Sequence, residues 1–366
     1  MKLVVFGLTI SSSWGNGHAT LWRGLCRALA VQGHQVTFFE KDVSYYAGAR
    51  DYWEVPGGCL VLYRDWRDVF QLAQEELQSA DAAIVTSYCP DALSWKELVL
   101  DSPALHVFYD LDTPVTLGRL MRGEDVPYIG AGGLGDFDLV LSFTGGRALD
   151  LLRDELGARR VQPLYGHADP DIHRRVPTDA TYRSDLSYLG TYAADRQRAL
   201  EMLFVEPARA RPQLRFVVGG AQYPQDFPWS DNIYFVRHLP PSEHPAFFSS
   251  SRLTLNITRQ DMAAIGWCPS GRLFEAALCG TPVLSDAWDG FDAFFEPGKE
   301  IITASNSDDT IAALDRSDAE LEHVAARARE RVLSEHTSAH RAHELVSLLD
   351  GNTAVQSMRA AAEARA

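Results

Sequence analysis

Hydrophobic positions in the first half of the chain follow two alternating periodicities. Residues 3–9 form a continuous apolar run typical of a buried strand, and residues 20–32 repeat apolar side chains at helical spacing until Gly33. A second strand pattern covers residues 35–40. Further strands are predicted at 82–86, 104–109 and 139–143, with helices at 68–78 and 146–156. Such alternation indicates a parallel, doubly wound sheet.

The second half repeats the alternation after a polar, proline-containing stretch. Residues 167–185 are interpreted as the linker between two domains. The predicted strands are 186–189, 214–218, 233–236, 253–257 and 283–284, and the predicted helices are 195–203, 242–248 and 270–278. This pattern predicts a second Rossmann-like domain.

The predicted domain boundaries follow from these patterns. An N-terminal domain spans residues 1–166, and a C-terminal domain spans residues 186–335. Residues 336–366 are expected to form a helix that crosses back to the first domain and then a frayed tail. Open α/β sheets bind ligands at the carboxyl ends of their strands, so the chemistry is expected there.

Composition and charge narrow the classes of partner. A length of 366 residues suits two domains, and a net charge of −15 argues against nucleic acid or an anionic membrane as the main partner. The five cysteines, which have no CxxC spacing, are interpreted as reduced, buried thiols. No transmembrane segment and no signal peptide is predicted, so a cytoplasmic location is expected. The sequence carries no signal for an oligomeric state.

Residues 269–285, PSGRLFEAALCGTPVLS, contain the start, body and end of a short helix that leads into a strand. Ser270 is a favourable N-cap, and Gly280 with the proline after Thr281 ends the helix. Gly271 and Glu275 are four residues apart on one helix face, so the missing side chain at Gly271 leaves the carboxylate open to a ligand.

This helix start has the features of a nucleoside-diphosphate site. Free N–H groups of the first turn and the charge of Arg272 suit a phosphate. A carboxylate one turn further along, at Glu275, suits the hydroxyl groups of a ribose. The alternative is a core helix that carries a solvated glutamate.

The run FEAALCGTPV resembles the nucleotide-sugar signature of GT-B glycosyltransferases, in which a glutamate holds the donor ribose. More narrowly, residues 160–315 resemble the CgeB-like (spore-maturation) glycosyltransferase group. The segments that carry this second resemblance are YLGT at 188–191 with Arg196, NITR at 256–259, and EPGKE at 296–300. It implies a GT-B fold, with two Rossmann-like doubly wound domains facing a central cleft, and a UDP-sugar as the first expectation for the donor.

The resemblance extends to individual donor contacts. Arg196 matches a basic residue that meets the diphosphate, while Arg237 and His238 match the segment around the nucleobase. Glycines at strand ends allow a ligand to approach the backbone, although ordinary turns explain them equally well. The predicted donor-binding residues are Gly190, Arg196, Gly219, Arg237, His238, Arg259, Ser270, Gly271, Arg272, Glu275 and Asp289. For Asp289, an exposed turn residue is the equal alternative.

A loop in the first domain suggests the catalytic base. SSSWGNGH, residues 11–18, resembles the Gly-x-Gly-His loops of GT-B enzymes, so His18 is the predicted base of an inverting transfer. Asp110, at another strand end, is the predicted carboxylate that orients His18. The alternative for His18 is a polar helix start or an acceptor contact. The predicted acceptor-binding residues are Trp14, Asn16 and Tyr88.

Two further points concern stereochemistry and metals. Many retaining GT-B enzymes carry a glutamate eight positions before the ribose glutamate, where this chain has Trp267, so inverting and retaining outcomes both stay open. Residues 110–112, Asp-Leu-Asp, are not interpreted as a metal-binding DxD motif, because the helix start, Arg196 and Arg272 already neutralise a diphosphate. Neither a metal nor a cofactor is therefore predicted beyond the sugar-nucleotide co-substrate.

The predicted function is a metal-independent glycosyltransferase of the hexosyltransferase type. It moves a sugar from a nucleoside-diphosphate donor to a small-molecule or glycan acceptor. One alternative is a nucleotide-sugar epimerase of the same fold, which forms product from the donor alone. The other is a non-catalytic sugar-nucleotide-binding protein, which binds the donor without turnover.

Overall fold

The chain forms two compact units. The computed structural model describes the backbone of residues 1–363 and the side chains of residues 1–351, and the predicted frayed tail after Gly351 lies outside the latter range. Unit 1 contains residues 1–13, residues 17–165 and the helix that begins at Ser338. Unit 2 contains residues 14–16 and 166–337.

Unit 1 is built on a parallel sheet. Among the described residues its strands are β1 (Lys2–Gly7), β2 (Gln35–Lys41), β3 (Cys59–Tyr63), β4 (Ala82–Thr86), β5 (Leu105–Asp110), β6 (Leu139–Ser142) and β7 (Val161–Pro163). They are hydrogen-bonded in the order β3-β2-β1-β4-β5-β6-β7. The helices between them are α1 (His18–Val31), α2 (Ser44–Ala47), α3 (Phe70–Gln78), α4 (Ala92–Leu100), α5 (Thr113–Met121) and α6 (Arg147–Leu156).

Unit 2 repeats the same architecture. Its strands in the described chain are β8 (Leu186–Leu189), β9 (Phe216–Gly220), β10 (Ile233–Arg237), β11 (Thr254–Asn256), β12 (Val283–Ser285) and β13 (Ile302–Thr303), in the parallel order β10-β9-β8-β11-β12-β13. This is the doubly wound order in which the chain starts in the middle of the sheet and winds outwards in both directions. Its helices are α7 (Gln197–Leu200), α8 (Glu206–Ala210), α9 (His244–Ser249), α10 (Gln260–Ile265), α11 (Gly271–Leu278), α12 (Ser307–Leu314) and α13 (Asp318–Glu335).

The last helix, α14 (Ser338–Glu363), completes the core of unit 1. Its Leu345 and Leu349 are buried in one cluster with Trp22 and Leu25 of α1 and with the apolar side chains of β1. Helices α1 and α14 and strand β1 therefore share one hydrophobic cluster.

The described residues also test the predictions about membrane-spanning segments and cysteines. In the described chain, no helix is both long enough and apolar enough to cross a membrane. The five cysteines are free thiols, and four of them are buried as predicted. Cys59 is exposed instead, because the first residue of β3 projects from the edge strand of its sheet.

Candidate functional site

Helix α11 begins and ends where the sequence predicts. Ser270 has the extended backbone of an N-cap residue, but its hydroxyl makes no capping hydrogen bond to the first turn in the described structure. Gly280 adopts a left-handed conformation with φ of 71°, which ends the helix at the position expected for glycine. The first-turn N–H groups are therefore not capped by the Ser270 side chain.

Glu275 presents one carboxylate oxygen on the Gly271 side of α11. A β-carbon added at Gly271 would lie 3.8 Å from Oε1 of Glu275. The other oxygen, Oε2, accepts a hydrogen bond from Nδ1 of His244 at 3.3 Å and lies 3.9 Å from Nε2 of His173. A ligand that approaches over Gly271 would thus meet Oε1.

The Glu275 carboxylate is ionised although it is buried. Burial by itself raises the pKa of Glu275, but the neighbouring imidazoles of His173 and His244 and the charge of Arg272 outweigh burial and lower it to about 2. A buried carboxylate that keeps its charge is a strong acceptor for hydroxyl donors. Its chemistry therefore suits the cis-diol of a ribose.

Three arginines gather near the same helix start. Arg272 donates from Nη1 to the carbonyl of Leu189. Arg196 donates from Nη2 to the carbonyl of Thr191 at 2.9 Å. Burial, together with the charges of Arg272 and Arg259, lowers the pKa of Arg196. Nε of Arg196 is buried without a hydrogen-bond partner among the described residues. An anion with several oxygens would satisfy this donor and relieve the repulsion.

The arginine group contains one close carboxylate. Arg259 donates from Nε to Asp195 at 3.1 Å. Gly190 lies at the same place, because a β-carbon there would be 3.1 Å from Nη1 of Arg272. Three guanidinium groups with one paired carboxylate leave local positive charge, which is the electrostatic requirement for a diphosphate.

Other predicted donor residues lie apart from this group in their contacts. A β-carbon at Gly219 would meet the side chains of Leu189 and Phe247, so the role of Gly219 in this structure is close internal packing. Arg237 ends the edge strand β10 with an exposed side chain. Asp289 is also exposed, and its carbonyl accepts from the backbone N–H of Trp267 at 2.7 Å.

His18 opens α1 and pairs with a carboxylate that the sequence did not single out. Its Nε2 lies 2.8 Å from Oδ2 of Asp112, which also accepts from Ser87 at 2.9 Å. Nδ1 of His18 is buried without a hydrogen-bond partner among the described residues. With the proton on Nε2, Nδ1 keeps the lone pair that a general base needs.

The predicted pairing of His18 with Asp110 is therefore corrected to Asp112. Asp110 is the last residue of β5, in register with Ser142 of β6, and its side chain is fully buried. Asp112 lies beyond the strand as the N-cap residue of α5, which leaves its carboxylate able to reach His18. Burial, followed by repulsion from Asp112, raises the pKa of Asp110 to about 7.

The predicted acceptor residues fall into two places. Trp14 and Asn16 belong to unit 2, where the Trp14 ring lies 4.4 Å from that of His238. Tyr88 belongs to unit 1 and has a positive φ of 56°. It packs against Tyr128 at 5.0 Å, and both line a cavity of about 400 Å³ that Arg119 also borders.

The sequence interpretation missed three functional candidates: Asp112, His173 and His244. His173 lies in the stretch that was interpreted only as a linker, and His244 opens a helix with no recognisable motif. Each of these three residues meets its partner only in the folded chain. Asp112, for example, is 94 residues away from His18 in the sequence. No short-range signal contained these pairings.

The fold is the GT-B fold of glycosyltransferases, with two parallel-sheet, Rossmann-like domains. Residues 196–347 match the family model described as "Glycosyl transferase-like". This part of the chain is therefore glycosyl transferase-like in sequence, whereas the CgeB-like subgroup stays a prediction. No curated protein matches the chain in sequence.

Several solved structures share the fold. Sucrose-phosphate synthase from Thermosynechococcus elongatus superposes with a TM-score of 0.71 at 14% identity, over 97% of this chain and 99% of that chain. Anabaena HepE, in complex with UDP and glucose, superposes with a TM-score of 0.67 at 13% identity, over 96% of this chain and 100% of that chain. An alpha-glucosyltransferase in complex with UDP-glucose and DNA containing an abasic site superposes with a TM-score of 0.69 at 13% identity. The superposition covers 96% of this chain and 99% of that chain.

The last of these structures corrects the expectation about nucleic acid. The net charge of the chain predicts that nucleic acid is not a partner, but a protein of the same fold is in complex with DNA. Net charge is a sum over the whole surface, whereas phosphate binding depends on local cationic groups. The exclusion of nucleic acid was therefore wrong.

Proposed function

We propose that this protein is a glycosyltransferase that transfers a hexose from a nucleoside-diphosphate donor, with a UDP-sugar as the first candidate. The observation that carries the proposal is the ionised, buried Glu275 beside Gly271, at a helix start where Arg196, Arg259 and Arg272 gather. Solved structures of the same fold are in complex with UDP or UDP-glucose, which supports the choice of UDP.

Each part of the donor has a matching group in unit 2. The Glu275 carboxylate would accept hydrogen bonds from the ribose hydroxyls through Oε1. The guanidinium groups of Arg196 and Arg272 would bind the diphosphate and stabilise the charge that it gains as the leaving group. Because these cations serve the phosphates directly, the proposed transfer uses no metal at the diphosphate.

In the proposed transfer, a bond forms between an acceptor oxygen and the anomeric carbon. The bond from that carbon to the β-phosphate oxygen breaks, and the diphosphate leaves with the electron pair. For an inverting reaction, the acceptor proton goes to a base, for which we propose Nδ1 of His18. Asp112 then stabilises the imidazolium that forms.

Isothermal calorimetry with UDP, GDP and ADP on the full chain tests the donor site. Glu275→Ala should weaken binding of the preferred nucleotide by about 1–3 kcal/mol, because ribose hydroxyls lose their acceptor. Glu322→Gln, at an exposed position on α13, is the matched control and should bind as the wild type does. Unchanged affinity in Glu275→Ala would remove Glu275 from the donor site.

The reaction class needs a separate measurement. Wild type incubated with the preferred sugar nucleotide should form glycosylated product only when an acceptor is present. His18→Ala should reduce that turnover by about 10²–10⁴ while donor affinity stays close to wild type. An isomerised sugar nucleotide formed without acceptor would favour an epimerase, and binding without any turnover across an acceptor panel would favour a binding protein.

A further inference from the structure

Two histidines converge on the face of Glu275 that the proposed donor does not use. Nδ1 of His244 lies 3.3 Å from Oε2, and Nε2 of His173 lies 3.9 Å from the same oxygen. The three ligand atoms all lie within 4.8 Å of one another. His173 and Glu275 are buried, and His244 is half-buried.

His173 has an unsatisfied hydrogen-bonding capacity at this place. Its side chain is 3% exposed, and both ring nitrogens are buried without a hydrogen-bond partner among the described residues. A buried imidazole normally bonds through at least one nitrogen, because a buried polar atom without a hydrogen-bond partner loses its hydration and gains nothing in return. Nε2 of His173 lies 3.9 Å from Oε2 of Glu275, which is beyond hydrogen-bond distance.

We propose that His173, His244 and Glu275 form a binding site for one zinc ion. Two imidazole nitrogens and one carboxylate oxygen are a donor set that Zn²⁺ takes in proteins. Ligand atoms at ~2.1 Å from a tetrahedral ion are ~3.4 Å apart, and two of the three edges, 3.3 Å and 3.9 Å, are already near that value. The edge between the two imidazole nitrogens is no longer than 4.8 Å. Mg²⁺ and Ca²⁺ are disfavoured because they require mainly oxygen ligands.

The zinc ion would hold the Glu275 carboxylate in position through the oxygen that the ribose does not use. Bound to Oε2, it leaves Oε1 on the Gly271 side, so metal and ribose would use different oxygens of one side chain. The ion would take no part in neutralising the diphosphate, which has its own arginines. Zinc binding does not depend on the donor assignment, since it is measured without nucleotide.

The test is a calorimetric titration of the chelator-treated full chain with ZnCl₂. We expect one saturable site per chain in the wild type and at least about 100-fold weaker binding in His173→Ala and in His244→Ala, since each loses a ligand. His323→Ala removes an exposed histidine of α13 and is the matched control, which should bind as the wild type does. MgCl₂ should produce no binding heat at the same concentrations.

A second readout protects the test against loss of folding. Co²⁺ replaces Zn²⁺ in such sites, and a tetrahedral Co²⁺ site absorbs visible light strongly. The wild type should show this absorption with one equivalent of Co²⁺, and His244→Gln, which keeps the side-chain volume, should lose it. The proposal is overturned if the wild type shows no saturable zinc site and no Co²⁺ band, or if folded His173 and His244 variants bind zinc unchanged.

Parallel titration with UDP separates this inference from the proposed function. UDP binding in a protein without a zinc site would overturn the zinc site alone. Zinc binding in a protein that binds no nucleotide would overturn the donor assignment alone.

Discussion

Arg196 is a buried cation whose Nε has no partner in the described structure, so its ligand should be an anion. Arg196→Ala and Arg272→Ala are each expected to weaken UDP binding much more than uridine binding, because the lost contacts are charge-assisted bonds to phosphate worth about 1.5–3 kcal/mol each. Calorimetry with both ligands measures the difference. Arg198→Ala, two residues from Arg196 but exposed, is the control and should leave both affinities unchanged. Equal losses for uridine and UDP would contradict the diphosphate assignment.

Asp110 makes the stability of unit 1 depend on pH. Its pKa is about 7 in the folded protein because burial and Asp112 raise it, whereas an unfolded aspartate titrates near pH ~3.9. Between these values the folded state holds the extra proton, so the free energy of unfolding falls as pH rises from about 4 to 7. Asp110→Asn keeps the neutral form at every pH and should remove this loss.

The measurement is denaturant unfolding of unit 1 at pH 5 and pH 8. Relative to wild type, Asp110→Asn should be more stable at pH 8 than at pH 5 by a difference on the order of 3 kcal/mol. Asp125→Asn changes an exposed carboxylate and should show no such difference. A pH-independent effect of Asp110→Asn would mean that the carboxyl group is ionised in the folded protein throughout.

Two glycines, one at the start of helix α11 and one just after its end, separate the requirements of binding from those of folding. A β-carbon at Gly271 meets only Oε1 of Glu275, at an ordinary contact distance of 3.8 Å, so Gly271→Ala should change stability by less than about 0.5 kcal/mol. The methyl group would nevertheless cover the carboxylate. UDP binding should weaken at least about 10-fold, or ~1.4 kcal/mol.

Gly280 provides the opposite case at the other end of α11. Its φ of 71° is strained for alanine, so Gly280→Ala should destabilise unit 2 by about 1–2 kcal/mol and leave UDP affinity unchanged. Thermal unfolding and calorimetry on both variants give the comparison. A Gly271→Ala protein that binds UDP like wild type would show that the ligand does not pass over this residue.

Local signals made α11 predictable, and their absence explains what the sequence did not reveal. The start and end of α11 are encoded within 17 residues, by an N-cap serine, a left-handed glycine and a proline. The parallel sheets followed from continuous apolar runs, but β3, β7 and β13 lie at the edges of their sheets and are only partly buried, so they carry a weaker apolar signal and were not predicted. The partners of His18 and Glu275 lie on other elements, so only the fold could identify Asp112, His173 and His244.

A mutation in the core of unit 1 should lower the stability of that unit without changing the UDP affinity of unit 2. Leu345 of α14 is 1% exposed within the core of unit 1, so Leu345→Ala should destabilise that unit by about 2–5 kcal/mol. Unit 2 has its own core, so UDP affinity of the folded variant should not change. Denaturant unfolding with calorimetry tests both parts. Val31→Ala, on the exposed face of α1, should be within about 0.5 kcal/mol of wild type.

The return of α14 to unit 1 has a consequence for how the protein is made. Gln32 at the end of α1 bonds to Ala339 at the start of α14, across a sequence separation of 307 residues. A ribosome that adds 5–20 residues per second needs roughly 15–60 s to synthesise that interval. During this time the apolar face of α1 has no α14 to cover it, while unit 2 already has its entire sequence before residue 338. The domain that begins first is thus finished last, and the nascent N-terminal half has to stay soluble while it waits for the final helix.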